Sequence, residues 1–219
     1  RWREALQAWA EEGMVLRSWR YAAPLVQTMP DAVLLEIDHA VTWWMEVAPV
    51  LIVAPVLLAT HRRFPLTPLL QVLIAAHALV LIVGGTWTYA RVPVGFWLQD
   101  VLALDRNPYD RIGHFMQGFV PAIAAREILL RQRVLRAGGW LFFVVICICL
   151  AISAAYELVE WGAAVALGQG AEAFLGTQGD PWDTQNDMAM ALLGALAAQL
   201  ALGRWHGRQL ARLGGLRRW

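Results

Sequence analysis

Apolar residues run along this chain in long blocks separated by short polar turns, and that pattern predicts membrane-crossing helices. The blocks extend over residues 41–60, 66–90, 108–130, 139–166 and 181–202. Each is close to the length, about 20 residues, that a helix needs to cross a bilayer. His61, Arg62, Arg63 and Pro65 form the first turn. Pro93, Gly95, Asp100 and Asp105 mark residues 91–107 as a loop with a short surface helix. Residues 167–180 are Gly-rich and acidic, and read as an irregular loop.

Residues 1–38 are mixed. The stretch from Arg1 to Arg20 suits an amphipathic helix with Trp2, Trp9 and Trp19 at an interface. Pro24, Pro30 and Asp31 break the chain between that stretch and the first block. The expected fold is therefore all-α: a polytopic transmembrane helix bundle of five spans, with an amphipathic or extra helix at its N-terminus. It divides into three regions: an N-terminal segment (1–38), the bundle (39–206) and a basic tail (207–219). Composition agrees, at 58% hydrophobic residues with 12 Trp and a mean hydropathy of +0.47.

Charge adds an orientation. Every basic residue apart from histidine is Arg, which removes lysine Schiff-base chemistry and lysine phosphate sites. The arginines gather after the first block (Arg62, Arg63), the third (Arg131, Arg133, Arg136) and the fifth (Arg204, Arg208, Arg212, Arg217, Arg218). The positive-inside rule places those three ends, and the C-terminus, in the cytoplasm. The starts of the third and fifth spans and the end of the fourth then face outward. The N-terminal segment lies outside too, unless an upstream span returns it. Topology accounts for the basic residues, so a nucleic-acid role is not expected. No phosphate loop, dinucleotide fingerprint or nucleophile elbow is present. Cys147 and Cys149 lie two apart, so a helix directs them apart, and apolar packing is their expected role.

One polar pattern occurs twice. Asn107-Pro108-Tyr109-Asp110 is followed four residues later by His114, and Asp180-Pro181-Trp182-Asp183 by Asp187. Each copy suits a helix start: Asn or Asp as N-cap, Pro at the first helical position, and an acid that could complete a capping box. Each places a metal-capable side chain one turn further in. The fourth block adds Glu157 and Glu160, which share a helix face. If these three helices pack together, six acids and one His converge on one membrane face: Asp110, Asp180, Asp183, Asp187, Glu157, Glu160 and His114. Ionisable groups in membrane spans are costly and commonly functional, and packed carboxylates repel unless a cation or shared protons relieve them.

Three readings of the cluster stand side by side. It could be a hydrogen-bonded network fixing helix register, with Asp110, Asp180 and Asp183 serving as caps. It could be a divalent-metal site for Mg, Mn, Fe or Zn, with ligands from Asp110, His114, Glu157, Glu160, Asp183 and Asp187 and with His114, Glu157 and Asp187 as catalytic residues. It could be a metal-free substrate site. Glu46, near the outer end of the first span, could join it. His77 reads as a bundle histidine, Arg91 and Arg111 as partners of neighbouring acids, and Arg126 and Glu127 as snorkelling or paired. Gly84, Gly85 and Gly194 suit close helix packing.

The motifs N-P-Y-D-R-I-G-H-F-M-Q-G, E-L-V-E-W and G-T-Q-G-D-P-W-D-T-Q-N-D-M resemble the YjdF-like inner-membrane proteins of bacteria, from about Trp44 to His206. More loosely, their order is similar to VanZ-like membrane proteins, which are associated with glycopeptide resistance. The resemblance implies a multi-pass inner-membrane protein and carries over Asp110, His114, Glu157, Glu160, Asp180, Asp183 and Asp187. It names no reaction. Members of that family open with a further apolar span, where this chain has polar residues 1–38, and this difference points to a membrane-protein partner there. Two functions are expected. One is a metal-dependent enzyme acting on envelope lipid or a lipid-linked substrate at the periplasmic face. The other is a non-enzymatic subunit or assembly factor of a larger membrane complex. A transporter lacks the inverted repeats it would need.

Overall fold

The computed structural model describes residues 31–167 and 178–213. Six helices make up the described fold: α1 (Asp31–Thr60), α2 (Pro68–Thr86), α3 (Pro93–Leu102), α4 (Tyr109–Arg131), α5 (Gly139–Leu167) and α6 (Asp183–Arg212). Among the described residues there is no strand. Among the described residues, four segments are long and apolar enough to cross a membrane: Trp43–Thr60, Pro68–Thr86, Gly139–Ala166 and Asp183–Arg212. α4, the third expected span, is long enough at 23 residues, about 35 Å of helix. It is less apolar because Asp110, Arg111, Arg126, Glu127 and Arg131 lie along it.

The composition of α4 reflects its place. It packs against α2, α5 and α6, and sits at the centre of the bundle. Asp110, His114 and Glu127 are buried against these neighbours. The apolar outer surface falls to the other helices, and α1 exposes Leu51, Ile52, Val56 and Leu58. Leu70, Ile123, Leu141, Val145 and Leu210 fill the centre. Two glycines let α4 and α6 touch through their backbones. A Cβ on Gly118 would overlap the carbonyl oxygen of Ala191, and one on Gly194 would overlap that of Phe115.

Some boundaries differ from those expected. α1 begins at Asp31, so residues 31–38 are helical, and residues 1–30 lie outside the described residues. α6 continues past the expected end at Leu202 to Arg212, taking in part of the expected tail. The short helix expected between spans two and three is α3. The helix does direct the two cysteines apart: Cys149 packs in the core as expected, whereas Cys147 is exposed and does not. Residues 168–177 of the acidic loop also lie outside the described residues.

The bundle end where α2 begins and α4 and α6 finish is tied by Glu127. Its carboxylate accepts from the Thr67 hydroxyl (2.7 Å), the Thr67 amide (3.1 Å), Arg131 (2.8 Å) and His206 Nε2 (3.0 Å). Thr67 in turn caps α2, accepting from the Leu70 amide. Arg131 also donates to the Pro65 carbonyl and lies over the Phe64 ring. Every contact expected of a buried carboxylate is present, so this knot fastens helices and needs no ligand.

Candidate metal centre

At the other end of the bundle α4 and α6 start, α5 finishes, and the repeated pattern comes together. Both copies build the same local turn. Asn107 Oδ1 accepts from the Tyr109 amide at 3.0 Å, and Asp180 Oδ1 from the Trp182 amide at 2.9 Å. Gln178 fastens one copy to the other, exchanging two 3.1 Å hydrogen bonds with the Asn107 backbone. The acids three residues on do not close capping boxes. Asp110 lies 3.4 Å from Arg106, and Asp183 pairs with the same guanidinium. Arg106 therefore bridges the two helix starts, with Asp180 3.5 Å away. Arg111 holds Asp180 at 3.0 Å, and Asn186 donates to it at 2.9 Å. The Trp182 amide, then Asn186 and the two guanidiniums, hold the Asp180 carboxyl below the usual carboxylate range.

One turn inward, His114, Asp110 and Asp187 are all buried, and one ligand-capable atom from each lies within 4.8 Å of the others. His114 Nε2 is 3.7 Å from Asp110 Oδ1 and 3.8 Å from Asp187 Oδ2. Neither gap is a hydrogen bond. The opposite ring nitrogen, Nδ1, lies 3.1 Å from Gln117 Oε1 and donates to it. With Nδ1 engaged by Gln117, Nε2 is the ring nitrogen that faces the two aspartates. Asp187 Oδ1 is buried without a hydrogen-bond partner. Ligand bonds to a divalent ion run about 2.0–2.6 Å, so one ion could touch atoms spaced like these three. One imidazole with two carboxylates suits Mg, Mn or Fe better than a sulfur-rich set would.

The other acids divide. Glu157 approaches the Nδ1 edge of His114 at 3.8 Å, and its Oε1 is buried and unpartnered. It stands beside the three-residue group rather than within it. Glu160 faces a groove bounded by α1, α2, α4 and α5, with a volume of about 460 Å³. Asp180 and Asp183 are engaged by arginines. Glu46 lines the same groove as Asp110 and His114; it is 3% exposed, and its Oε2 has no hydrogen-bond partner. His77 also lines the groove, with Nε2 unpartnered.

Arg106, Gln117 and Tyr89 belong to the site without having been expected from the sequence. Arg106 had a visible signal, a cation one turn before Asp110. Gln117 lies three residues after His114, on the same helix face. Tyr89 had none, because it reaches the site from the loop after α2, where burial raises its phenol well above the ordinary value and keeps the hydroxyl protonated.

Residues 26–208 match the family model described as "Predicted membrane protein (DUF2238)". A curated relative, inner membrane protein YjdF of Escherichia coli (strain K12), is 62% identical over 173 residues, covering 79% of this chain and 83% of its own length. No solved structure matches.

Proposed function

This chain belongs to the DUF2238 family of membrane proteins, and from that premise we propose that it is a metal-dependent enzyme acting on an envelope lipid or lipid-linked substrate. Asp110, His114 and Asp187 hold the ion. Supporting this above all is the spacing of these three buried side chains, too wide for direct hydrogen bonds and suited to a shared cation. Such an ion would polarise a phosphoryl or carbonyl oxygen and acidify a bound water. Glu157, 3.8 Å from the Nδ1 side of His114 and outside the ligand set, would serve as the base that takes a proton from that water. Asp183 works through Arg106, which orients Asp110. The groove beside the centre gives an alkyl chain a path between helices.

In this reading α4 is the fifth span. The arginine-rich ends and the C-terminus are cytoplasmic, and the metal centre lies beneath the periplasmic headgroups. A subunit or assembly factor would be expected to satisfy its buried acids internally. The unpartnered oxygens of Asp187, Glu157 and Glu46 favour the enzyme.

The test is conversion of an envelope lipid extract by purified protein loaded with Mn²⁺, followed by mass spectrometry. Glu157→Gln should retain the ion and lose conversion, whereas Asp187→Asn should lose both. Conversion that survives in Asp187→Asn, or none by the wild type, would sink the reading.

A further inference from the structure

The groove is apolar along its length and acidic at one end. Its walls are Val50, Val53 and Leu57 from α1, with Val120, Ala124 and Ile128 from α4 among the residues facing them. Glu46 to Leu57 covers about 16 Å of helix at the standard rise, so the groove is long enough for an extended alkyl chain. At the end where α4 begins it meets Glu46, Asp110, Glu160, Tyr89 and Tyr156. Among the described residues, no arginine lines it. The nearest guanidiniums, Arg106 and Arg111, are committed to Asp110, Asp180 and Asp183.

That charge pattern selects a headgroup. An anionic group entering beside Glu46 and Glu160 would meet two carboxyl groups, with the imidazoles of His77 and His114 rather than any guanidinium on the groove wall to offset them. A cation would satisfy Glu46 Oε2, which is buried and unpartnered where the groove ends. The rings of Tyr89 and Tyr156 add faces that attract cations.

We propose that the groove takes a single-chain amphiphile bearing an amine headgroup, with the alkyl chain lying between α1, α2, α4 and α5 and the ammonium against Glu46 and Glu160. Resting on the groove being the substrate path of the enzyme described above, this names its substrate class: an amine-bearing lipid rather than a purely anionic one. Glu46 and Glu160 bind the headgroup, and the metal ligands are not required for that binding.

The test measures binding of dodecylamine, dodecanol and dodecyl phosphate to the purified protein in maltoside detergent, with a chelator present. Dodecylamine should bind about tenfold more tightly than dodecanol, the scale of a charge-assisted hydrogen bond, and dodecyl phosphate should bind most weakly. Glu46→Gln and Glu160→Gln should each reduce dodecylamine binding while leaving dodecanol binding as in the wild type, which also reports that the variants are folded. Equal binding of the three probes, or dodecylamine binding unchanged in both variants, overturns the proposal. Lysophosphatidylethanolamine separates the sources: binding as tight as dodecylamine identifies an aminolipid headgroup, and weaker binding identifies a free long-chain amine. Because the measurement excludes metal and is repeated on Asp187→Asn, amine binding that persists there stands even if the metal centre fails. Metal uptake without amine selectivity would overturn this proposal alone.

Discussion

His114 Nε2 stands 3.8 Å from Asp187 Oδ2, too far to share a proton directly and close enough to share an ion. The two residues come from helices that begin with the same local turn, and Arg106 clamps those beginnings together. The separation is therefore set by rigid helix starts rather than by flexible side chains.

Without a cation, the packed carboxylates repel one another. Asp187→Asn should therefore raise the melting temperature of chelator-treated protein. With Mn²⁺ present the sign should reverse, the wild type being stabilised and the variant not. Thermal unfolding in detergent, with and without Mn²⁺, reads both signs.

Glu127 makes a different prediction, because its bonds are complete. Glu127→Ala leaves the Thr67 amide, the Thr67 hydroxyl and His206 Nε2 without their buried acceptor. Removing one partner from such a buried network costs roughly 3–5 kcal/mol. Equilibrium unfolding should show a loss of that order, and it should be independent of added metal.

Close helix contact sets a third expectation. Gly118→Val places a branched side chain against the Ala191 carbonyl, where even a Cβ has no room. Packed interiors do not absorb such a volume, so α4 and α6 must separate. Size-exclusion chromatography should show aggregated or poorly folded protein. Gly162→Ala, where an added Cβ meets nothing within 4 Å, should behave as wild type.

Asp180 predicts a pH dependence. Its partners hold the folded carboxyl below the unfolded value of about 3.9, so its contribution is fully present above that value and is lost as pH falls through the lower, folded one. Wild-type stability should decline across that acid window more steeply than Asp180→Asn. Parallel acid titrations of the two proteins check the difference.

Local and periodic features of this fold were readable in the sequence. Apolar block length located α1, α2, α5 and α6, because lipid faces most of their surface. The repeated Pro-containing pattern located the helix starts to within one or two residues, with Pro108 and Trp182 rather than Asn107 and Asp180 at the cap positions, and, one turn on, His114 and Asp187. Long-range pairing was not readable. Nothing local says that Arg106 draws Asp110 and Asp183 from capping into ion pairs, or that Glu46 on α1 turns toward Asp110 on α4. Hydropathy did not mark α4 as it marked the other long helices, because Asp110, His114 and Glu127 on it are buried against neighbouring helices. The division of the acids into a tight group and flanking members depends on side-chain distances that spacing along a helix cannot supply.

The most direct measurement is Mn²⁺ binding to purified, chelator-stripped protein, followed by electron paramagnetic resonance. The wild type should bind a single high-affinity ion, with His114→Ala and Asp187→Asn both losing it and Asp183→Asn retaining it at reduced affinity. A wild type that binds no ion above background, or a His114→Ala variant that binds as the wild type does, would contradict a metal centre at His114, Asp110 and Asp187.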